Sequence, residues 1–309
     1  VIYQHPLAYL LGLQGRALLR AFAGEYDREF TQARLAEVRA LLDSADVLGE
    51  GGSLAAVSVS DGYEAWAPRY DEPGNAMVDR EGPLVRALLD RILAGDERRT
   101  VLDAACGTRR HAAHVAARGH RVIGTDCSAA MLALARSKLP GAELHQADLA
   151  AVPLLDASVD VVVCGLALAH VRDLGPVFME FARVLRPGGH LVVSDSRGYM
   201  HGGGGYPIVV RAPGGGLGYI PSWSHPTSAY LKAALPVGFQ VRQCDEPPCP
   251  GPLVDEAGTP PGDPAPVAPF TAQDGHPDIW SLHSWAAAAT NAAYDGKPHF
   301  IVWHFQLPL

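Results

Sequence analysis

The segment VLDAACGTRR, Val101 to Arg110, constrains the fold more than any other stretch of the chain. An apolar run ends in an acid, Asp103, and passes through Ala105, Cys106, Gly107 and Thr108 before HAAHVAARG takes up helical spacing. A strand that turns so tightly into a helix aims backbone N–H groups and the helix N-terminus at whatever lies in the bend, which suits a nucleotide-type ligand. Such a unit needs a sheet to belong to.

The following sequence supplies it. TVLDA, RVIGTD, AELHQA, VDVVVC and HLVVSD are strand-like runs that alternate with helical segments, among them SAAMLALARSKL and GPVFMEFARVL. Continuous apolar strands with connections of this length are those of a parallel sheet covered by helices on both faces, so the pattern predicts a doubly wound α/β fold. PTSAYLKAALPVGFQVRQC reads as helix then strand, and HFIVWHFQL as the last strand. Between them an insertion starts with a proline-rich stretch and continues as HPDIWSLHSWAAAATNAAYDG, read as one helix with an aromatic face bearing Trp280 and Trp285. The glycine runs at Gly202 to Gly205 and Gly214 to Gly216 predict loops. Upstream, Leu18, Phe22, Leu35, Val38, Leu41 and Leu42 recur at helical spacing, predicting two or three helices before GEGGS.

The stretch Thr100 to Ser196 resembles the core of a class I S-adenosylmethionine-dependent methyltransferase of the small-molecule, natural-product type. That family's loop runs acidic-x-Gly/Ala-x-Gly-x-Gly, and its LRPGG turn, here Leu185 to Gly189, recurs before a core strand. The resemblance implies a Rossmann-like methyltransferase sheet with an N-terminal helical extension and an insertion before the last strand. Residues 1–60 are then a lid or dimerisation segment, and 61–309 the α/β domain, with roofs over the substrate at 197–225 and 245–298. It implies S-adenosyl-L-methionine as cofactor and S-adenosyl-L-homocysteine as product. Asp103, Ala105 and Gly107 fall in the cofactor loop, and Arg109 replaces its last glycine. Asp148 is placed for the adenine amino group with Leu149 beside the ring, and Cys164 with Gly165 near the methionine end.

Asp126, followed by Cys127, ends the second strand, where a carboxylate can accept both ribose hydroxyls. Tyr63, Trp66 and Tyr70 share one helical face that suits a sulfonium through its π-systems, and Tyr63 and Tyr70 are candidate contacts. A nicotinamide-binding fold would need G-x-G-x-x-G, and this loop has Gly107 followed by two arginines. Arg109 either turns aside to pair with the methionine carboxylate or fills the site; the second case makes the chain a non-methylating enzyme on the same scaffold, such as a cyclase, or a ligand-binding regulator.

Methyl transfer mainly requires alignment in a dry pocket, and a base helps when the acceptor is a hydroxyl. His170, just past the fourth strand, is the candidate base, ahead of His225 and His201; His111 and His114 are read as solvent-facing. Cys244 and Cys249 are one pair, whereas zinc needs four ligands, so no metal is expected. The net charge of −8, with no block of basic residues, argues against a nucleic-acid partner. LAYLLGL is too short to cross a bilayer, and the five cysteines lack a disulfide framework, so a cytoplasmic protein is expected. The expected partner is a small molecule, a secondary metabolite methylated on oxygen or nitrogen, with a homodimer through the N-terminal helices as a further possibility.

Overall fold

The computed structural model describes residues 1–72, 75–198, 205, 207–212, 215–248, 251–254 and 279–309. His201, Cys249, most of the glycine runs and most of the proline-rich stretch lie outside the described residues, as does the side chain of Trp280. Contacts divide the chain into two units. No helix among the described residues is long and apolar enough to cross a membrane.

The larger unit, Val57–Gly216, Ile220–Pro247 and Pro298–Leu309, holds the predicted α/β array. Its elements are α1 (Val59–Trp66), α2 (Ala76–Ile92), β1 (Thr100–Ala104), α3 (Arg110–Ala116), β2 (Arg121–Asp126), α4 (Ala129–Lys138) and β3 (Glu143–Gln146). There follow β4 (Val159–Gly165), α5 (Leu174–Val184), β5 (Leu185–Ser196), α6 (Thr227–Ala234), β6 (Gln240–Asp245) and β7 (Phe300–Gln306). The seven strands are ordered β6-β7-β5-β4-β1-β2-β3. β1 to β5 pair in parallel, while β7 runs antiparallel to both β5 and β6. Alternate side chains of each central strand enter opposite cores. Leu102, Val162 and Val193 pack with Phe178, Phe181 and Phe305 on one face; Val101, Val161, Val163 and Val192 pack with Val85 and Leu89 on the other. The order reverses beside β1, and the carboxyl ends of β1 and β4 there border the crevice where such sheets bind ligands.

Two details depart from the sequence reading. LRPGG opens β5 instead of closing a helix: α5 stops at Val184, and Pro187 keeps Arg186 out of helical backbone while Gly188 takes φ +75°. Helix α2 went unread. Asn75 caps it by accepting a hydrogen bond from the Val78 amide at 3.3 Å, and it continues through Pro83. Val85, Leu88 and Leu89 bury its inner face.

The smaller unit comprises Val1–Ala56, Leu217–Tyr219 and Pro248–Lys297. Its first helix, Pro6–Phe22, starts with proline at a position where no amide partner is lost, and buries Leu10, Leu13 and Ala17. That helix packs on Ala287–Tyr294, where Arg20 donates to the carbonyls of Ala292 and, just past the helix, Asp295; its Tyr9 bonds to His283 Nε2 of the preceding helix at 2.8 Å. The helices Arg28–Asp43 and Ala45–Leu48 complete the N-terminal set, and an unanticipated antiparallel pair joins Ile2–Gln4 to Gly52–Ala56. The aromatic segment forms two helices, Ile279–Trp285 and Ala287–Tyr294, because Ala286 leaves helical backbone at φ −139°, ψ 49°.

Candidate functional site

The bend between β1 and α3 holds three residues in left-handed backbone: Ala105 (φ 58°), Gly107 (φ 54°) and Arg109 (φ 104°). Leu166, just past β4, adds a fourth at φ 57°. Such conformations cost non-glycine residues about 1–2 kcal/mol each, and they persist where surrounding structure overdetermines them, often at ligand sites. Here the Cys106 amide donates to the Thr125 carbonyl at 2.8 Å, and the Arg109 amide to the Cys106 carbonyl at 2.9 Å. Arg109 thus adopts a backbone conformation that favours glycine. Its Nε is buried without a hydrogen-bond partner, and it forms no ion pair among the described residues.

Asp103 is buried, and its Oδ2 accepts from the Ala112 amide in the first turn of α3 at 2.7 Å, tying strand to helix. Burial, only partly offset by His111 and the Ala112 amide, raises its pKa from 3.8 to about 6. The folded chain therefore holds this proton more tightly than the unfolded chain, and stability falls as pH rises from about 4 to 6. Asp103→Asn keeps the acceptor for Ala112 and loses the ionisation. Urea denaturation at pH 4.5 and pH 7 should show a drop of about 2 kcal/mol in the parent that the variant largely lacks.

Asp126 closes the other side of the bend. Its Oδ2 accepts from the Gly107 amide at 2.8 Å and its Oδ1 from the Ser128 amide at 2.9 Å. Each carboxylate oxygen has a second lone pair, so two further donors can be accommodated. Burial raises this carboxyl's pKa, with the amides opposing. Glu64 of α1, which the sequence reading passed over, stands beside it: its Oε1 accepts from Ser128 Oγ and the Ala130 amide, both at 3.0 Å, and caps α4. Cys127 is half-buried, with its thiol pKa pushed up to about 11 by burial, and its carbonyl accepts from Ser60 and Gln146. Asp148 is exposed, with Oδ1 accepting from the Ala150 amide at 2.8 Å, and Leu149 packs against the core. The Cys164 side chain is sealed in that core, so the backbone is what this residue presents to the crevice.

The aromatic face forms a continuous group. Ring centroids lie 5.8 Å apart for Tyr63 and Trp66, 5.2 Å for Trp66 and Tyr70, and 6.1 Å for Tyr63 and Tyr70. Tyr70 reaches the glycine bend: a Cβ built on Gly107 would meet only the Tyr70 Cε1, at 3.9 Å. The bend is also tied through Thr108 Oγ1 to Asp71 at 2.6 Å, and Asp71 pairs with Lys138. His170 joins the aromatic group, with Nε2 2.9 Å from the Tyr63 hydroxyl and Nδ1 3.1 Å from the Pro221 carbonyl. His225 is instead anchored to the carbonyls of Leu168 and Val171 at 3.1 and 2.8 Å, a structural role.

The sequence reading also missed a buried ionic cluster brought by α2. Glu81 is fully buried; it pairs with Arg110, accepts from Ser194 Oγ, and lies 3.3 Å from His111 Nε2 in poorly aligned electrostatic contact. Burial alone would raise its pKa, but His111, Arg110 and Ser194 outweigh it and leave the pKa at about 2. A Cβ on Gly165 would stand 2.6 Å from His111 Nε2 and 2.9 Å from Glu81 Oε1, so only glycine admits this cluster at the end of β4. His111 is therefore buried, contrary to expectation. His114, on the rim, bonds Asp90 at 2.8 Å.

A parallel sheet of this order, with acids near the ends of β1 and β2 around a glycine bend, is an arrangement shared with nucleoside-binding α/β proteins. Residues 102–193 match the family described as methyltransferase domain. Over 94 residues the chain is 42% identical to malonyl-[acyl-carrier protein] O-methyltransferase of Yersinia pestis, covering 30% of this chain and 35% of that protein. Over 137 residues it is 35% identical to demethylmenaquinone methyltransferase of Chlorobaculum parvum, covering 43% and 57%. Among solved structures, the [4+2]-cyclase SpnF aligns with TM-score 0.52 and 18% identity over 84% of this chain and all of that one, a likeness of fold. Residues 102–193 are thus similar to the core of S-adenosylmethionine-dependent methyltransferases. The chain spans between about a third and just over half the length of these curated relatives.

Proposed function

We propose that the protein binds S-adenosylmethionine in the bend between β1 and α3 and transfers its methyl group to a small-molecule acceptor, releasing S-adenosylhomocysteine. The observation that carries this reading is the open cradle at Gly107, bordered by the Asp126 carboxylate and the ring of Tyr70. A cofactor with a ribose, an adenine and a cationic sulfur matches those neighbours: Asp126 for the hydroxyls, Asp148 and Leu149 for the base, and Tyr63, Trp66 and Tyr70 for the positive charge. The bound cofactor supplies an electrophilic methyl; the chain's part is to hold the acceptor in line and keep water out. The acceptor is a natural-product-type small molecule, methylated in a cytoplasmic protein. Nothing in its charge favours nucleic acid.

Arg109 fits this reading when its side chain leaves the cradle, and its unpartnered Nε makes it the candidate partner of the methionine carboxylate. Arg109→Gly relieves the strained backbone but loosens the unfolded chain, so stability is expected to stay within about 1 kcal/mol of the parent. Affinity for S-adenosylhomocysteine should fall about tenfold with the lost charged contact. An affinity gain instead would show that Arg109 obstructs the bend and would favour the non-methylating reading. Titration calorimetry with S-adenosylmethionine and S-adenosylhomocysteine tests the proposal as a whole: heat with both is expected, and none with either rejects it.

A further inference from the structure

We propose that the Tyr63 hydroxyl, backed by His170, takes the proton from the acceptor, and that the acceptor atom is therefore a hydroxyl oxygen. The inference rests on the methyl-transfer reading above.

The hydrogen bonds fix which way protons face. The Pro221 carbonyl can only accept, so His170 Nδ1, 3.1 Å away, carries the N–H. His170 is half-buried, and that burial lowers its pKa and favours the neutral imidazole; a neutral ring protonated at Nδ1 has a bare Nε2. The 2.9 Å contact at Nε2 is then a bond donated by the Tyr63 hydroxyl. Two consequences follow. The one lone pair that would make His170 a direct base is occupied, which shifts the expected role of His170 from base to proton-accepting positioning residue. The Tyr63 oxygen has no second hydrogen-bond partner among the described residues, so its lone pairs remain able to accept a proton. Contacts place this oxygen's ring beside the crevice: Tyr63 packs on Tyr70, and Tyr70 lies over Gly107.

Such a pair does work that only some acceptors need. A free-base amine attacks with its lone pair and sheds a proton afterwards. A neutral hydroxyl is a poor nucleophile unless its proton leaves as the new bond forms. In the proposed step the acceptor's O–H bond breaks and its proton goes to the Tyr63 oxygen, while the Tyr63 proton passes to His170 Nε2. The acceptor oxygen forms its bond to the methyl carbon, and sulfur keeps the electron pair of the broken methyl–sulfur bond. The positive charge that began on sulfur ends on the His170 imidazolium, still donating from Nδ1 to Pro221.

The orientation is testable without any cofactor. In the full chain labelled with 15N-histidine, long-range 1H–15N correlation spectra between pH 7 and 8 should show His170 neutral, protonated at Nδ1 and bare at Nε2. Tyr63→Phe should shift the Nε2 resonance and leave Nδ1 protonated. A proton on Nε2, or a charged imidazole at pH 7, overturns the proposal, because the Tyr63 proton would have nowhere to go. With S-adenosylmethionine and a panel of phenols, alcohols and amines, turnover should require an acceptor hydroxyl. Tyr63→Phe and His170→Asn should each lower kcat about 100-fold with KM within about twofold, and the double variant should be no slower than either single one. Turnover confined to amines, or undiminished kcat in Tyr63→Phe, also overturns it. Absence of cofactor binding strikes the methyl-transfer reading on its own, since the spectra are recorded without cofactor.

Discussion

Asp126→Ala is expected to weaken S-adenosylhomocysteine binding at least 100-fold, about 3 kcal/mol, while the sheet remains folded. Two losses combine. The variant has no acceptor for the ribose hydroxyls, and charge-assisted hydrogen bonds of that kind contribute about 1.5–3 kcal/mol each. It also removes the acceptor that holds the Gly107 amide at 2.8 Å and so fixes the bend. Asp126→Asn keeps one acceptor oxygen, which can hold the Gly107 amide, while the charge and the acceptor for the Ser128 amide are lost, and it should weaken binding about tenfold. Calorimetry on the three proteins distinguishes these losses. Parent-like affinity in Asp126→Ala would place the ribose elsewhere, and the bend at Gly107 would then not be the adenosyl site.

Glu81→Gln should destabilise the fold by about 3 kcal/mol, the low end of the cost of breaking a buried ion pair. Its carboxylate faces Arg110, His111 and Ser194 with no solvent, so the amide leaves the Arg110 guanidinium without its counter-charge. Arg110 is partly exposed and can turn toward water, which keeps the cost from being larger. The pH dependence has the opposite sign to that of Asp103. The Glu81 pKa is lowered from 4.5 to about 2, so its contribution is present above pH 4.5 and is lost as pH falls toward 2. Denaturation midpoints followed from pH 5 to pH 2.5 should fall steeply in the parent and less in Glu81→Gln. Equal slopes would mean that the cluster adds nothing to acid stability.

What the sequence made legible follows from which residues carry local signals. The strands at Val101, Val122, Val159 and Leu191 are continuous apolar runs, and acids at their ends are visible as such; the existence of a parallel, doubly wound sheet and the positions of Asp103 and Asp126 were readable on that basis, while the strand order was not. Helix α2 was hidden by Pro83 in its middle, although Val85, Leu88, Leu89 and Ile92 have the spacing of a buried face. Missing that helix meant missing Glu81, and with it the burial of His111 and the reason Gly165 must be glycine. The role of His170 turned on a long-range contact: its ring nitrogens meet Tyr63 and Pro221, 107 and 51 residues away, and no local pattern encodes a tautomer. The positive φ of Arg109 was unreadable for a related reason. The conformation is imposed by the bend's hydrogen bonds to Thr125 and Cys106, against the residue's own preference.

A crystal structure grown with excess S-adenosylhomocysteine is the most direct test of cofactor binding in the bend. The adenosyl group is expected over Gly107 with its ribose hydroxyls on Asp126, its homocysteine sulfur facing the Tyr63–Tyr70 aromatic group, and the Arg109 side chain turned toward the carboxylate. A crevice filled by the Arg109 guanidinium, with the ligand absent, would contradict it.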